Sequence, residues 1–378
     1  MNTIGISPIA RVIVSLALIV ESCANKPVAS LEAAGSFVIT LPMVIGNDTY
    51  FRLVTGKAEM TRDNENLLYL MIRPVDSVWV YRLGGPLPIR RLRLPIAGLT
   101  LEDMTFDVFS KRLCIVCEPP SSSGLFRILL RYNVDLSLCQ VDTLPPLRDG
   151  RDVEYVPLPP TRVIGNTYRT SVAAVGEYRQ FVTSASIAQY DLTSKKWSFI
   201  HRRPSEIQED TIRPFLFPLL ADRHGADRIQ YLRYEASDSL YRVNLNGRIE
   251  KVTPSAPSIV DFHTRLPERQ YTSSLLYATE PHLVYYNYLP EKDIHVSIAM
   301  NRQSERILDG RLADEGTAKY VVQFFNDDLA EVLQLPSGLV YEFPSPLVLG
   351  DRMAFLRRSR KDKQEGRMTF AMYRIAMK

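Results

Sequence analysis

Side chains able to act as acids, bases or metal ligands are scattered through this chain and form no local motif. It contains no Gly-x-Ser-x-Gly elbow, His-Glu-x-x-His zinc helix, phosphate-binding glycine loop or acidic calcium loop. His224 lies in a polar segment, 222–227, that could reach the mouth of a channel, but we interpret this segment as a solvated turn. We therefore predict no catalytic residue, no metal ligand and no cofactor. The five histidines are isolated from one another in sequence: His201, His224, His263, His282 and His295.

Two acidic segments are the remaining candidates for acid–base chemistry. Asp327 and Asp328 stand between two strand-like runs, and residues 206–210 form an acidic loop. A pair of carboxylates can supply a general acid and a general base. Aspartate is also common in turns because its side chain hydrogen-bonds the local backbone. We interpret both segments as turns.

Basic and aromatic clusters suggest binding. One cluster is Arg90-Arg91-x-Arg93 on a predicted strand, and another is the segment 357–363 between the last two strands. The second could contact anionic headgroups or anionic glycan, but we interpret it as a solvated hairpin tip. The segment Tyr285-Tyr286-Asn287-Tyr288 offers rings for sugar stacking. Packing within a sheet explains these tyrosines equally well.

The pair Cys114-x-x-Cys117 invites a redox or zinc interpretation. It stands in an apolar run that reads as a strand, where residues three apart point to opposite faces. We therefore predict buried, chemically inert cysteines. A disulfide from Cys139 to one of the pair stays open, since spacing does not decide it.

Length and composition describe a globular chain. It has 378 residues, 46% hydrophobic and 23% charged, which argues against disorder. The net charge of +4 is small and dispersed, so nucleic acid is not an expected partner. Nineteen Tyr, 15 Phe and 25 Pro favour strands joined by proline-bearing loops.

The N-terminus is predicted to carry an export signal, with a buried N-terminal strand or an uncleaved anchor as the alternative. The uncharged run Val12–Val20 follows Arg11 and leads into Glu21-Ser22-Cys23. Nine residues are too few to span a bilayer, and a short apolar core behind a positive charge is typical of a signal peptide. The segment resembles a bacterial lipoprotein signal, although Glu21 departs from the small residue expected there. This resemblance implies removal of residues 1–22 and lipidation of Cys23.

A lipid on Cys23 would attach the chain to a bacterial envelope membrane. We predict that residues 23–36 form a tether, because they are small and polar and include a proline. No acidic cluster follows the cysteine, which favours an outer-membrane protein facing the periplasm over one exposed at the cell surface. The membrane, through the lipid, is thus one expected partner.

Within the mature chain, residues 37–378 are predicted to be all-β. Short apolar runs bounded by turn residues recur, and no helical periodicity is sustained. Six hairpins at a mean interval of about 57 residues fit a single six-bladed β-propeller, with seven blades as the alternative. The predicted hairpins are 67–72 with 78–83, 113–117 with 126–134, 179–183 with 187–192, 228–234 with 240–245, 282–288 with 294–299, and 353–357 with 368–375.

The two ends of the chain are predicted to close the ring. The last run, Met368–Ile375, is the inner part of a blade that lacks an outer strand, and Phe37–Leu41 can supply it. An additional pair, Tyr320–Phe325 and Ala330–Leu335, does not fit the count, and we assign it to outer strands near the junction of the fifth and sixth blades.

These elements resemble an uncharacterised family of Bacteroidota lipoproteins with a TolB-like six-bladed propeller. The carriers include the Phe37–Leu41 strand, the 64–83 hairpin, the Asn246-Gly247 turn, the 324–329 segment and the closing Met368–Ile375 strand. The resemblance implies fold and location and assigns no activity. We expect a monomeric, non-enzymatic propeller that binds or scaffolds a peptide, protein or glycan. The alternative is a hydrolase or lyase acting on a polysaccharide.

Overall fold

The structure is a computed structural model of the whole chain. It describes most of the sequence between residues 29 and 377. The described residues are 29–41, 51–57, 66–72, 77–107, 109–120, 126–149, 153–175, 185–202, 218–222, 230–235, 237, 239–243, 249–252, 281–289, 292–300, 307–308, 311–312, 320–326, 330–335, 339–340, 346–357, 362 and 365–377.

The chain forms six antiparallel sheets, which we number as blades 1–6, and one small hairpin. The first strand is β1 (Ala29–Thr40). Blade 1 contains β2 (Phe51–Lys57), β3 (Asn66–Ile72), β4 (Ser77–Arg82) and β5 (Pro88–Arg93), and blade 2 contains β6 (Thr100–Asp107), β7 (Arg112–Glu118), β8 (Arg127–Tyr132) and β9 (Leu138–Leu144).

Blade 3 contains β10 (Tyr155–Ile164), β11 (Thr167–Ala174), β12 (Ala185–Asp191) and β13 (Lys196–Arg202), and blade 4 contains β14 (Pro218–Asp222), β15 (Gln230–Tyr234), β16 (Leu240–Val243) and β17 (Ile249–Val252). Blade 5 contains β18 (His282–Leu289), β19 (Ile294–Met300), β22 (Tyr320–Phe325) and β23 (Ala330–Gln334). The small hairpin of β20 (Ile307–Leu308) and β21 (Arg311–Leu312) lies between β19 and β22 in the sequence. Blade 6 contains β24 (Leu339–Val340), β25 (Leu347–Leu349), β26 (Arg352–Arg357) and β27 (Arg367–Met377).

The blades form a closed ring, so the chain is an all-β, six-bladed β-propeller. Apolar side chains from both faces of each sheet pack against the next blade, which is why the middle strands are buried on both sides. Tyr69 and Ile115 lie in the core between blades 1 and 2, and Leu129 and Tyr168 lie between blades 2 and 3. Between blades 3 and 4, Ser186 hydrogen-bonds Tyr234 at 2.7 Å. Further cores join blades 4 and 5, blades 5 and 6, and blades 6 and 1.

The N-terminal strand closes the ring, as predicted. β1 pairs with β27 over its whole length and becomes the outermost strand of blade 6. It begins at Ala29, eight residues before the predicted boundary at Phe37, so the second half of the predicted 23–36 tether is strand. The additional length has partners because β27 runs on to Met377. A bulge at Gly35, with φ of 107°, lets the pairing continue through small residues that on their own indicate a loop.

Four of the predicted hairpins are the middle strands of a blade, and two depart from that pattern. The partner of β12 is β11, not the predicted 179–183, which lie outside the described residues. The fifth hairpin, β18 with β19, holds the innermost strands of blade 5. The additional pair, β22 with β23, completes this blade as its outer strands. The β20–β21 hairpin inserted before β22 explains why this blade disturbed the spacing.

Candidate functional site

Many of the predicted site residues lie outside the described part of the chain. His282 and His295 are described, as are the tyrosines of the 285–288 segment and all of Arg90-Arg91-x-Arg93. Of the basic segment 357–363, only Arg357 and Asp362 are described. Outside the described residues are Cys23, His224, His263, Asp327, Asp328, the segment 206–210 and the side chain of His201.

The tyrosine-rich segment packs in the core between blades 4 and 5. Tyr286 and Tyr288 are buried, so neither presents a ring for sugar stacking. The Tyr286 hydroxyl lies 2.9 Å from Nδ1 of His295, and His295 stacks on Phe325 with ring centroids 5.0 Å apart. Burial raises the pKa of Tyr286 well above its ordinary value. This cluster therefore contributes to packing, and the packing interpretation of Tyr286 and Tyr288 is confirmed.

Blades 2 and 3 are joined by a buried carboxylate on the innermost strand of blade 2. Asp103 accepts hydrogen bonds from the backbone N–H of Thr161 at 2.6 Å and from its hydroxyl at 2.8 Å. The Met104 N–H also donates to Asp103, at 2.8 Å. Bulges in β6 and β10 place the two residues opposite each other. With three donors around it, the Asp103 carboxylate links blades 2 and 3 by hydrogen bonds.

A more accessible ion pair lies next to Asp103 in the sequence. Glu102 is the additional residue of the β6 bulge, and it receives two hydrogen bonds from Arg127, at 2.5 Å from Nε and 3.0 Å from Nη2. The side chains are 16% and 14% exposed, respectively. Such a bidentate pair fixes both groups. The arrangement does not favour proton transfer, because the Glu102 carboxylate is already held by a permanent cation.

A second buried carboxylate sits between the outer strands of blade 2 and the edge of blade 3. Asp142 accepts a 2.7 Å hydrogen bond from Arg131 and one of 2.8 Å from Lys195 of blade 3. Burial raises the pKa of Asp142, but the hydrogen bonds from Lys195 and Arg131 outweigh it and leave the pKa below its ordinary value. Asp142 therefore stays ionised near neutral pH and holds the two blades together.

The junction of blades 4 and 5 has a buried arginine in the same role. Arg233 donates to the Ser297 hydroxyl at 2.7 Å and to the Gln323 amide oxygen at 3.2 Å. Its guanidinium also lies 5.3 Å from the centre of the Phe325 ring. The sequence contains a signal for these residues: Arg131 and Arg233 each follow a leucine and precede a tyrosine within a strand.

The described cysteines are free thiols. Cys114 packs in the core between blades 2 and 3, and Cys117 packs in the core between blades 1 and 2. The two therefore point to opposite faces of β7, as predicted, and burial raises the pKa of Cys117 to about 12. Cys139 is exposed on the outermost strand of blade 2. In the described ranges, no three His, Cys, Asp or Glu side chains are grouped as a metal site.

Several of the exposed apolar side chains lie at the outer strands of blades 1 and 2, and others, such as Val175, lie elsewhere. Leu87, just before β5, is 63% exposed, Ile89 of β5 is 49% exposed, and Val141 of β9 is 49% exposed. Arg90 connects the two blades by donating to the carbonyl oxygen of Asp135 at 3.0 Å, in the turn before β9. We call this surface the blade 1–2 rim, and it consists of Leu87, Ile89, Arg90, Arg91, Arg93, Leu138 and Val141.

Comparison with solved structures agrees with the architecture. The chain is similar to the crystal structure of a duf4221 family member from Bacteroides vulgatus, with a TM-score of 0.65 and 9% identity over 94% of this chain and 100% of the other. Virginiamycin B lyase from Staphylococcus aureus gives 0.41 with 9% identity over 91% and 99%. At these identities only the fold is shared, and the lower score carries no argument. No family model matches the sequence. No curated protein matches it either. Among the described residues, no helix is long and apolar enough to cross a membrane.

Proposed function

We propose that this chain is a lipid-anchored protein of a bacterial cell envelope whose propeller binds or scaffolds a peptide, protein or glycan. The observation that carries the proposal is a division of labour among the described side chains. Buried charges such as Asp103, Asp142 and Arg233 are committed to contacts between strands and blades. The blade 1–2 rim instead presents apolar and cationic groups to solvent. Exposed patches of this kind mark interaction surfaces.

The lipid anchor is supported by the sequence before β1. Five residues, 24–28, separate Cys23 from Ala29. At no more than about 3.5 Å per residue, the propeller is held within about 20 Å of a lipid on Cys23. Because Ala29 already belongs to the strand that closes the ring, the tether is short and joins directly to the fold.

The anchor is tested by expressing wild type and Cys23→Ala in a bacterial host with radiolabelled palmitate. We expect label and membrane association in the wild type and loss of both in the variant. A variant that stays in the membrane fraction would contradict the anchor. The same host with wild-type protein then serves for cross-linking, capture and mass spectrometry.

Binding is tested by that capture together with a glycan array. We expect a partner or glycan that survives washing and is competed by the purified, unanchored propeller. Cleavage of a polysaccharide by the purified propeller, with neither a protein nor a glycan retained, would replace the binding proposal with the enzymatic alternative.

A further inference from the structure

We infer that the outer edge of blade 1, strand β5, is a docking site for an extended polypeptide segment that is acidic and partly apolar. The inference rests on the proposed binding function and names its surface and partner class. β5 is the last strand in the order β2-β3-β4-β5, and no described strand pairs with its outer edge. An edge strand presents backbone N–H and C=O groups to which another strand can add.

The positive charges on β5 favour a partner with negative charge. Arg90, Arg91 and Arg93 are exposed, within a strand of only six residues. Basic residues and a starting proline protect an edge from pairing with a copy of itself, because like charges would face each other. The same charges attract an acidic segment, so the strand discriminates by repulsion as well as by attraction.

Arg91 is held in position for this role. Its guanidinium lies 5.5 Å from the centre of the Trp79 ring on the neighbouring strand, and its Nε donates to the Ser77 hydroxyl at 3.0 Å. An arginine fixed in this way loses less side-chain entropy on binding than a free one. Ile89 is the additional residue of a bulge in the β4–β5 pairing, which leaves it exposed beside the arginines.

The apolar side chains distinguish the edge from a purely cationic patch. Leu87 and Ile89 are far more exposed than the other large hydrophobics of blade 1. A bound strand alternates its side chains between two faces. Arg91 and Arg93 share one face of β5 and Arg90 points to the other, so a segment with acidic and apolar residues in alternation would place its carboxylates on the face of Arg91 and Arg93.

The location of β5 favours a polypeptide over a membrane surface. Thr40, the last residue of β1, donates its N–H to the carbonyl of Pro86 at 2.6 Å, so β5 starts beside the far end of β1. β1 has 12 residues and spans about 36 Å. The lipid on Cys23 would attach at the opposite end of β1. Attraction to headgroups is screened within about 10 Å, so β5 is placed for a partner away from the anchored end.

The experiment uses the propeller without its lipid and a labelled, alternating Glu-Val octapeptide. Fluorescence anisotropy at low and high salt measures its binding, with Lys-Val and Glu-Ser octapeptides as comparisons. The test variant is Arg90→Glu with Arg93→Glu, which spares Arg91 and its contact to Trp79. The matched control reverses exposed lysines on the outer strands of blades 3 and 4, Lys196→Glu with Lys251→Glu. Urea unfolding verifies that each variant is folded.

We expect the Glu-Val peptide to bind, the Lys-Val peptide not to bind, and the test variant to weaken binding on the order of tenfold. The control should stay within about twofold. Equal loss in the control, or equal binding of Glu-Ser, would overturn the docking site because it would show attraction by net charge alone. The edge would be assigned to a membrane instead if anionic vesicles bind the wild type but not the test variant, while the Glu-Val peptide binds both proteins equally.

The outcome is separable from the proposed function. If the partner captured from the envelope is retained equally by wild type and the test variant, the β5 inference is wrong and the binding function stands. If wild type retains no protein and no glycan, the binding function itself fails.

Discussion

Replacing Phe37 with alanine tests whether β1 really closes the propeller. The Phe37 ring stacks on Phe370 of β27, with centroids 4.8 Å apart and ring planes 9° from parallel. The two residues are also direct partners in the β1–β27 register. Phe37 and Ile39 point into the core shared by blades 6 and 1, whereas Val38 between them is only half-buried.

The expected loss of stability is large because Phe37 lies both in the hydrophobic core and on the strand that closes the ring. Truncating a buried phenylalanine costs about 3–5 kcal/mol, of which the stacked pair accounts for about 1 kcal/mol. The free energy of unfolding of a natural domain is about 5–15 kcal/mol. Phe37→Ala should therefore remove about a fifth of the stability or more, and Val38→Ala should cost about 1 kcal/mol or less.

Tryptophan fluorescence reports on this closure directly. The chain has two tryptophans, and Trp79 lies in the same core as Phe37 while Trp197 lies in blade 3. In a Trp197→Phe background, urea unfolding followed at Trp79 gives the stability of the closing region. Equal effects of Phe37→Ala and Val38→Ala would refute the assignment of β1 as the closing strand.

Other contacts give further predictions. Asp142→Asn should lower the free energy of unfolding by about 3–5 kcal/mol at neutral pH, since it leaves the Arg131 charge buried. Because the pKa of Asp142 is lowered in the folded state, this contribution is present above its unfolded pKa of about 3.9 and is lost as pH falls through the lowered folded value, so wild type and variant should converge in acid-unfolding measurements. Lys195→Met should cost only about 1 kcal/mol or less, because its side chain is 54% exposed; a larger loss would place Lys195 in the buried pair. Alkylation of the native propeller at pH 8, read by mass spectrometry, should modify Cys139 before Cys117; simultaneous modification would contradict the burial of Cys117.

The repeated strand pattern was enough to predict the propeller, because it is set by local alternation and by burial on both faces. The run Leu67–Ile72 is apolar at nearly every position since it lies between two neighbouring blades. Closure was also predictable, since an incomplete last blade requires a strand from elsewhere. The start of β1 was not, because residues 29–36 extend only where β27 supplies partners.

The polar contacts between blades join residues that are far apart in the sequence. Asp103 and Thr161 are 58 positions apart, and their contact requires bulges in two separate strands. Asp142 and Lys195 meet only because blades 2 and 3 are neighbours in the ring. The spacing of residues in the sequence does not predict such pairs. An arginine that follows a leucine and precedes a tyrosine within a strand, as Arg131 and Arg233 do, indicates that a buried partner exists without indicating which one.

The sequence by itself determined that this chain is an all-β propeller, and it predicts an export signal over residues 1–22, directly before Cys23. Alternation, turn residues and a short apolar run are local properties, and a local pattern is sufficient for each. Only the tertiary structure decided which blade junctions Cys114 and Cys117 enter and that Tyr286 is buried. It alone showed that Arg90, Arg91 and Arg93 lie on an edge with which no strand in the described part of the chain pairs, at the far end of β1. The physical reason is that burial and strand pairing depend on which blades become neighbours when the ring closes.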